Sequence, residues 1–110
     1  FAKTVAVFGM FADKDVVGVI AAVKSRIDRW FVATLPGPRG ASAAEVHAEL
    51  MGAGVAPQAI RMFDDVASAF AAARTEVGEA DRIIVFGSFL TVAAALAAAK
   101  PGTERAPRNG

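Results

Sequence analysis

The sequence predicts an α/β fold, an open and mainly parallel sheet with flanking helices, on three observations. Short apolar runs of strand length end at glycines, stripes with helical spacing lie between them, and the two patterns alternate strictly along the chain. A strand followed by a helix and a further strand calls for parallel pairing through right-handed crossovers. Thr4-Val5-Ala6-Val7-Phe8, closed by Gly9, is almost continuously apolar, as a strand buried on both faces should be. Val16, Val19, Ile20, Val23 and Ile27 then form one stripe of an amphipathic helix, with Asp13 or Asp15 available as its N-cap. Trp30 to Ala33 makes a second β-prone run, ended by Leu35-Pro36-Gly37-Pro38, where two prolines forbid both helix and central strand.

Ser42 followed by Glu45 is a capping box for a helix carrying Val46, Leu50 and Met51, which Gly52 and Gly54 close. Ala59 to Phe63 is a weaker strand whose Arg61 points to an edge or partly exposed position. Asp64 or Asp65 caps the next helix, with Val66, Ala69, Phe70, Ala73 and Val77 as its stripe. Arg82 to Gly87 repeats the design of the first strand. Phe89 to Ala99 is apolar nearly all round, which predicts a buried helix, stopped by Lys100-Pro101-Gly102. Strands are expected near 4–9, 29–34, 59–63 and 82–87, with Phe8, Ile20, Val32, Phe70, Ile84, Val85 and Leu96 in the core. Residues 1–102 make a single α/β domain in this reading, and 103–110 a frayed, flexible tail.

Composition excludes several functions. The chain has 110 residues, 55% hydrophobic and 21% charged, which is too apolar for a disordered segment. Twelve Lys+Arg against eleven Asp+Glu give a formal charge of +1, scattered rather than gathered into a stripe, so nucleic acid is not an expected partner. There is no cysteine and one histidine, which removes disulfides, thiolate sites and multi-histidine metal clusters. No stretch is apolar and uncharged for about 20 residues, so no membrane partner is expected.

Two turns invite chemistry. Val7-Phe8-Gly9-Met10-Phe11 and Val85-Phe86-Gly87-Ser88-Phe89 both place a glycine where a strand leaves the sheet. They serve either as plain tight turns or as points where a ligand approaches backbone N–H groups; neither is a dinucleotide fingerprint or a phosphate loop. In parallel sheets ligands gather at the carboxyl ends of the strands. Asp13-Lys14-Asp15 sets a cation between two acids on the first turn, where Lys14 either holds an anion or is solvated. Ser88 either caps its helix or donates to the same anion, and can do both. Arg39, on a proline-stiffened loop, is a surface cation or a weaker anion contact. His47, beside Glu45 and Glu49 with no nucleophile near it in sequence, reads as solvent-facing or half-buried. Asp64-Asp65 reads as capping rather than as a phosphoacceptor pocket.

Three strings carry a resemblance: Phe8-Gly9-Met10-Phe11-Ala12-Asp13-Lys14-Asp15, then Leu35-Pro36-Gly37-Pro38-Arg39-Gly40-Ala41-Ser42-Ala43, then Val85-Phe86-Gly87-Ser88-Phe89-Leu90-Thr91-Val92. In this order and spacing they closely resemble the C-terminal domain of the bacterial bifunctional dihydrofolate synthase/folylpolyglutamate synthase family, within the Mur ligases. The resemblance implies a Rossmann-like C-terminal domain of an ATP-dependent, amide-forming ligase. ATP and Mg2+ phosphorylate a carboxylate, and L-glutamate attacks the acyl phosphate. Dihydropteroate becomes dihydrofolate, or a folate gains a glutamate, in cytoplasmic one-carbon metabolism. By the same resemblance Lys14 and Ser88 bind the glutamate carboxylates, with Asp13, Asp15, Arg39 and Thr91 as supporting candidates; no catalytic residue and no metal ligand is assigned. The family's phosphate loop is absent from the sequence, as is the Asp-Gly-Ala-His-Asn-type segment on the preceding strand. A fragment is therefore expected, lacking its first strand-helix unit and its N-terminal ATPase domain, holding no cofactor and inactive alone. The alternative is a non-enzymatic α/β small-molecule-binding or scaffold module.

Overall fold

A computed structural model describes residues 3–12, 15–87 and 89–99. Four strands alternate with four helices: β1 (Thr4–Phe8), α1 (Val16–Val23), β2 (Arg29–Ala33), α2 (Ala43–Gly52), β3 (Ile60–Phe63), α3 (Val66–Glu76), β4 (Arg82–Phe86) and α4 (Phe89–Ala99). The sheet order is β3-β2-β1-β4, and all three pairings are parallel. The chain first steps outward from β1 to β2 to β3. It then crosses back over β1 to place β4 on the other side. Right-handed crossovers in opposite directions require helices on opposite faces. Accordingly, Ile20 of α1 and Val46 and Leu50 of α2 pack with Ala6, Phe8, Trp30 and Val32, while Val66, Ala69 and Ala73 of α3 and Ala95 of α4 pack with Val5, Val7, Phe31 and Ala33.

The caps form as the sequence indicates, and the structure chooses between the alternatives. Asp15 caps α1, its carboxylate accepting from the Gly18 amide at 2.9 Å, and Asp65 caps α3 by accepting from Ser68 N at 2.7 Å. Ser42 and Glu45 complete the reciprocal capping box of α2. The first stripe does not stay α-helical throughout: α1 stops at Val23 and the chain tightens into a 3-10 turn over Lys24–Arg26 before Ile27.

Phe8, Ile20 and Val32 are fully buried, as expected; Phe8 meets Trp30 edge-on at 5.5 Å between ring centroids and Phe86 at 4.7 Å. Four other core expectations need correction. Leu96 is 60% exposed, and Phe70, Ile84 and Val85 are only half-buried. The physical reason is shared by three of them. Strand β4 is an edge strand, half-buried at every position despite a sequence like that of β1, and α4 covers that margin of the sheet. Among its described side chains Thr91 and Ala95 face inward and Val92 and Leu96 outward, so α4 is not buried all round as its composition predicts. Phe70 sits on the rim of the α3 contact, against the guanidinium of Arg74 at 5.8 Å. Arg61 does mark an edge strand, β3. The expected tail, 103–110, lies outside the described residues.

These burials rank three truncations. Phe8→Ala should cost about 3 to 5 kcal/mol and Phe70→Ala about 2, while Leu96→Ala should stay within about 0.5. Urea unfolding of the three variants checks the order.

Candidate functional site at the β1/β4 reversal

Strands β1 and β4 are neighbours that run the same way, yet the segments leaving them diverge, one toward α1 on one face and the other toward α4 on the opposite face. Such a reversal in strand order opens a crevice at the carboxyl edge of a sheet. Here the reversal falls at Gly9 and Gly87, which lie in contact. Gly87 has φ +121°, a region closed to most side chains, and a Cβ built on it would collide with the carbonyl oxygen of Gly9. A Cβ on Gly9 would in turn stand 3.0 Å from Thr91 Oγ1 and 3.1 Å from Leu35 Cδ2. Close approach of backbone requires the glycine at 87, whereas a side chain at 9 would press on the Thr91 and Leu35 side chains, so both turns are tightly packed.

Thr91, the third residue of α4, is fully buried and donates from Oγ1 to the Gly9 carbonyl at 2.8 Å. A third loop, the one after β2, joins at the residues that follow Gly9. Ala41 N donates to Met10 O at 2.9 Å, Ala12 N donates to Arg39 O at 2.7 Å, and Phe11 forms an antiparallel bridge with Gly40. The Arg39 guanidinium lies over the Phe11 ring, 5.4 Å from its centroid. Thr34 Oγ1, just past β2, accepts from the Ala43 amide at 2.8 Å and so fixes where α2 begins. The loops after β1 and β2 and the start of α4 are thus one hydrogen-bonded assembly at the carboxyl edge.

Of the six residues singled out from the sequence, Asp13, Lys14 and Ser88 lie outside the described residues. Asp15 is taken up by capping α1. Arg39 and Thr91 both belong to the assembly around Gly9. His47 is half-buried on α2, and Asp64 is exposed beside the capping Asp65. Hydrogen bonds from Ser68, chiefly its backbone amide, hold the Asp65 carboxyl below the ordinary carboxylate range. A mainly apolar cavity of about 470 Å³ opens at the same edge, lined by Thr34, Leu35, Pro36, Val66 and Ala94 among others. The only sequence sign of it is the proline-bearing loop after β2. Among the described residues no group of three or more His, Cys, Asp or Glu could hold a metal ion, and no helix is long and apolar enough to cross a membrane.

Residues 2–89 match the family model described as the Mur ligase, glutamate ligase domain. The chain belongs to the Mur ligase family. Over 91 residues the chain is 43% identical to the dihydrofolate synthase/folylpolyglutamate synthase of Escherichia coli, covering 83% of this Mur ligase chain but 20% of the relative. Escherichia coli FolC in complex with ADP, without folate substrate, superposes with a TM-score of 0.81 at 35% identity, covering 94% of this chain and 23% of that one. The bifunctional folylpolyglutamate synthase/dihydrofolate synthase with Mn, AMPPNP and L-glutamate bound gives 0.78 at 43% identity, covering 87% and 22%. The chain thus spans about a fifth of the length of the curated relatives it matches and corresponds to a C-terminal domain of folylpolyglutamate synthase-type ligases.

The glycine contact makes a direct prediction. Gly87→Ala should destabilise the domain by about 1 to 3 kcal/mol, because backbone strain and the collision with Gly9 outweigh the roughly 0.4 to 1 kcal/mol gained by stiffening the unfolded chain. An unchanged denaturant midpoint would show that the two turns can part freely.

Proposed function

We propose that this domain binds the incoming L-glutamate of an ATP-dependent ligase that extends dihydropteroate or a folate through an acyl phosphate, in the cytoplasm. The observation that carries the reading is the contact of Gly9 with Gly87 at the reversal in strand order, because the chain passes from Gly9 into the Asp13-Lys14-Asp15 turn and from Gly87 into Ser88. An amine attacks an acyl phosphate efficiently only when its own carboxylate is held so that nitrogen points at carbon. A lysine ammonium and a serine hydroxyl at a helix start are suited to that task, one as a charged donor and the other as a directed one. In this reading Lys14 and Ser88 take the carboxylates, while Asp15 and Arg39 shape the two loops that flank them.

ATP and a divalent cation are substrates and partners of the rest of the parent chain. The described residues offer no metal cluster, and the sequence has no phosphate loop. In this reading the chemistry belongs to the parent chain, and this domain's share of the work is orientation of the nucleophile.

The domain is completed by a strand-helix unit encoded upstream. On the α1/α2 face, Ile84 and Phe86 of β4 border a cavity of about 380 Å³ that Val23, Ile27, Arg26 and Arg82 also line. A strand added outside β4 and joined to β1 would run in the direction of the β1 to β2 step, and handedness sends its helix to this face. Relatives about five times the length of the chain supply the residues. In a structure of a chain extended upstream, Ile84 and Phe86 should be buried; finding them still open to solvent would refute the arrangement.

Steady-state kinetics of the parent ligase test the site. Lys14→Ala should raise KM for glutamate roughly 10- to 150-fold, the worth of a lost charge-assisted hydrogen bond, and leave KM for ATP nearly unchanged. Ser88→Ala should act on the same substrate but less, since backbone N–H groups remain. A collapse of ATP affinity with glutamate kinetics intact would move Lys14 to the nucleotide site.

A further inference from the structure

We infer that Thr91 is a positioning residue for the amino-acid substrate: its hydroxyl latches the start of α4, which follows Ser88 in sequence, to the turn after β1, which precedes Lys14. The inference rests on the reading of Lys14 and Ser88 given above, and adds to it a residue that touches no substrate. Thr91 is fully buried, and its Oγ1 donates at 2.8 Å to the carbonyl of Gly9, 82 residues away in sequence. That carbonyl also meets Gly87 at the point where a Cβ would collide with it. The Gly9 peptide is therefore gripped from the β4 turn and from the first turn of α4 together. One residue further on, Met10 O receives the Ala41 amide, and Ala12 N donates to Arg39 O. A rotation of the Gly9 peptide would be carried through Met10 into the segment that leads to Lys14.

A hydrogen bond across the crevice can hold this geometry where apolar packing alone would not. The sheet fixes β1 against β4 only as far as Phe8 and Phe86, and beyond them the two chains part toward opposite faces. The Thr91 hydroxyl crosses that parting. Valine has nearly the same shape, so replacing Thr91 with Val withdraws the donor from the carbonyl without opening a hole. Serine retains the donor and removes only a methyl group.

The test uses the full-length parent ligase. Thr91→Val should raise KM for glutamate roughly tenfold with KM for ATP unchanged, and Thr91→Ser should restore it to within about twofold of the parent. In a double-mutant cycle, Thr91→Val added to Lys14→Ala should raise KM much less than the product of the single effects, because both act on one anchored carboxylate. If Thr91→Val fails to accumulate as folded enzyme, Thr91→Ala removes the same hydroxyl and carries the same comparison. A loss of thermal stability with glutamate KM unchanged, while Lys14→Ala still raises it, would overturn the latch and leave the glutamate site standing. Equal losses for glutamate and ATP in Thr91→Val, or no rescue by Thr91→Ser, would also overturn it. If Lys14→Ala leaves glutamate KM unmoved as well, the site itself is wrong and the latch falls with it.

Discussion

Two parallel strands can end side by side and send their chains to opposite faces only if the backbones part at once, and here they do so at a contact too close for a side chain. A Cβ at position 87 would collide with the Gly9 carbonyl, and Gly87 takes a φ of +121° to make the turn. The crevice at the carboxyl edge follows from that constraint and from crossover handedness, before any polar side chain is considered. Phe8 and Phe86, the last paired residues before the parting, stack at 4.7 Å and keep the two strands in register up to the glycines. Moving Gly87 back one residue would put a Cβ into the contact and a flexible residue into a ladder position.

The two faces of the sheet are built from different materials. Large side chains fill the α1/α2 face, where Phe8, Met10, Ile20, Trp30 and Leu50 are all buried. Alanines dominate the helical side of the α3/α4 face, with Ala69, Ala73 and Ala95 against the strands. Small residues let a helix lie close to a sheet, so the second layer is built with little apolar bulk. This is why α4 can be almost wholly apolar in sequence and still turn Leu96 outward: alanine suffices on its inner face. Hydropathy registers α4 as a core helix, whereas packing needs only one of its sides.

What was legible in the sequence is what depends on neighbours in the chain. The strand-helix alternation, the Ser42/Glu45 capping box and the turn glycines are all local patterns, and each stands where it was read. The position of β4 was not legible. Its apolar run matches that of β1, and only the direction of the crossover after α3 decides that one is central and the other at the edge. Arg61 gave β3 away because a charge cannot be buried there, and β4 carries no such mark in its middle. The same division holds at the site. Glycines announce a turn, but a buried hydroxyl bonded to a carbonyl 82 residues earlier leaves no periodicity behind.

Arg39 illustrates how relative magnitudes assign a role. A cation over an exposed ring contributes about 0.5 to 1 kcal/mol, and each backbone hydrogen bond a similar net amount. The loop carrying Arg39 is joined to the β1 turn by two backbone bonds, Ala12 to Arg39 and Ala41 to Met10, besides the stacking on Phe11. The loop's place is therefore set chiefly by main chain, and the guanidinium adds a lesser share on top. That geometry ties Arg39 to the turn that leads into Asp13-Lys14-Asp15, the turn that Thr91 also holds through the Gly9 carbonyl.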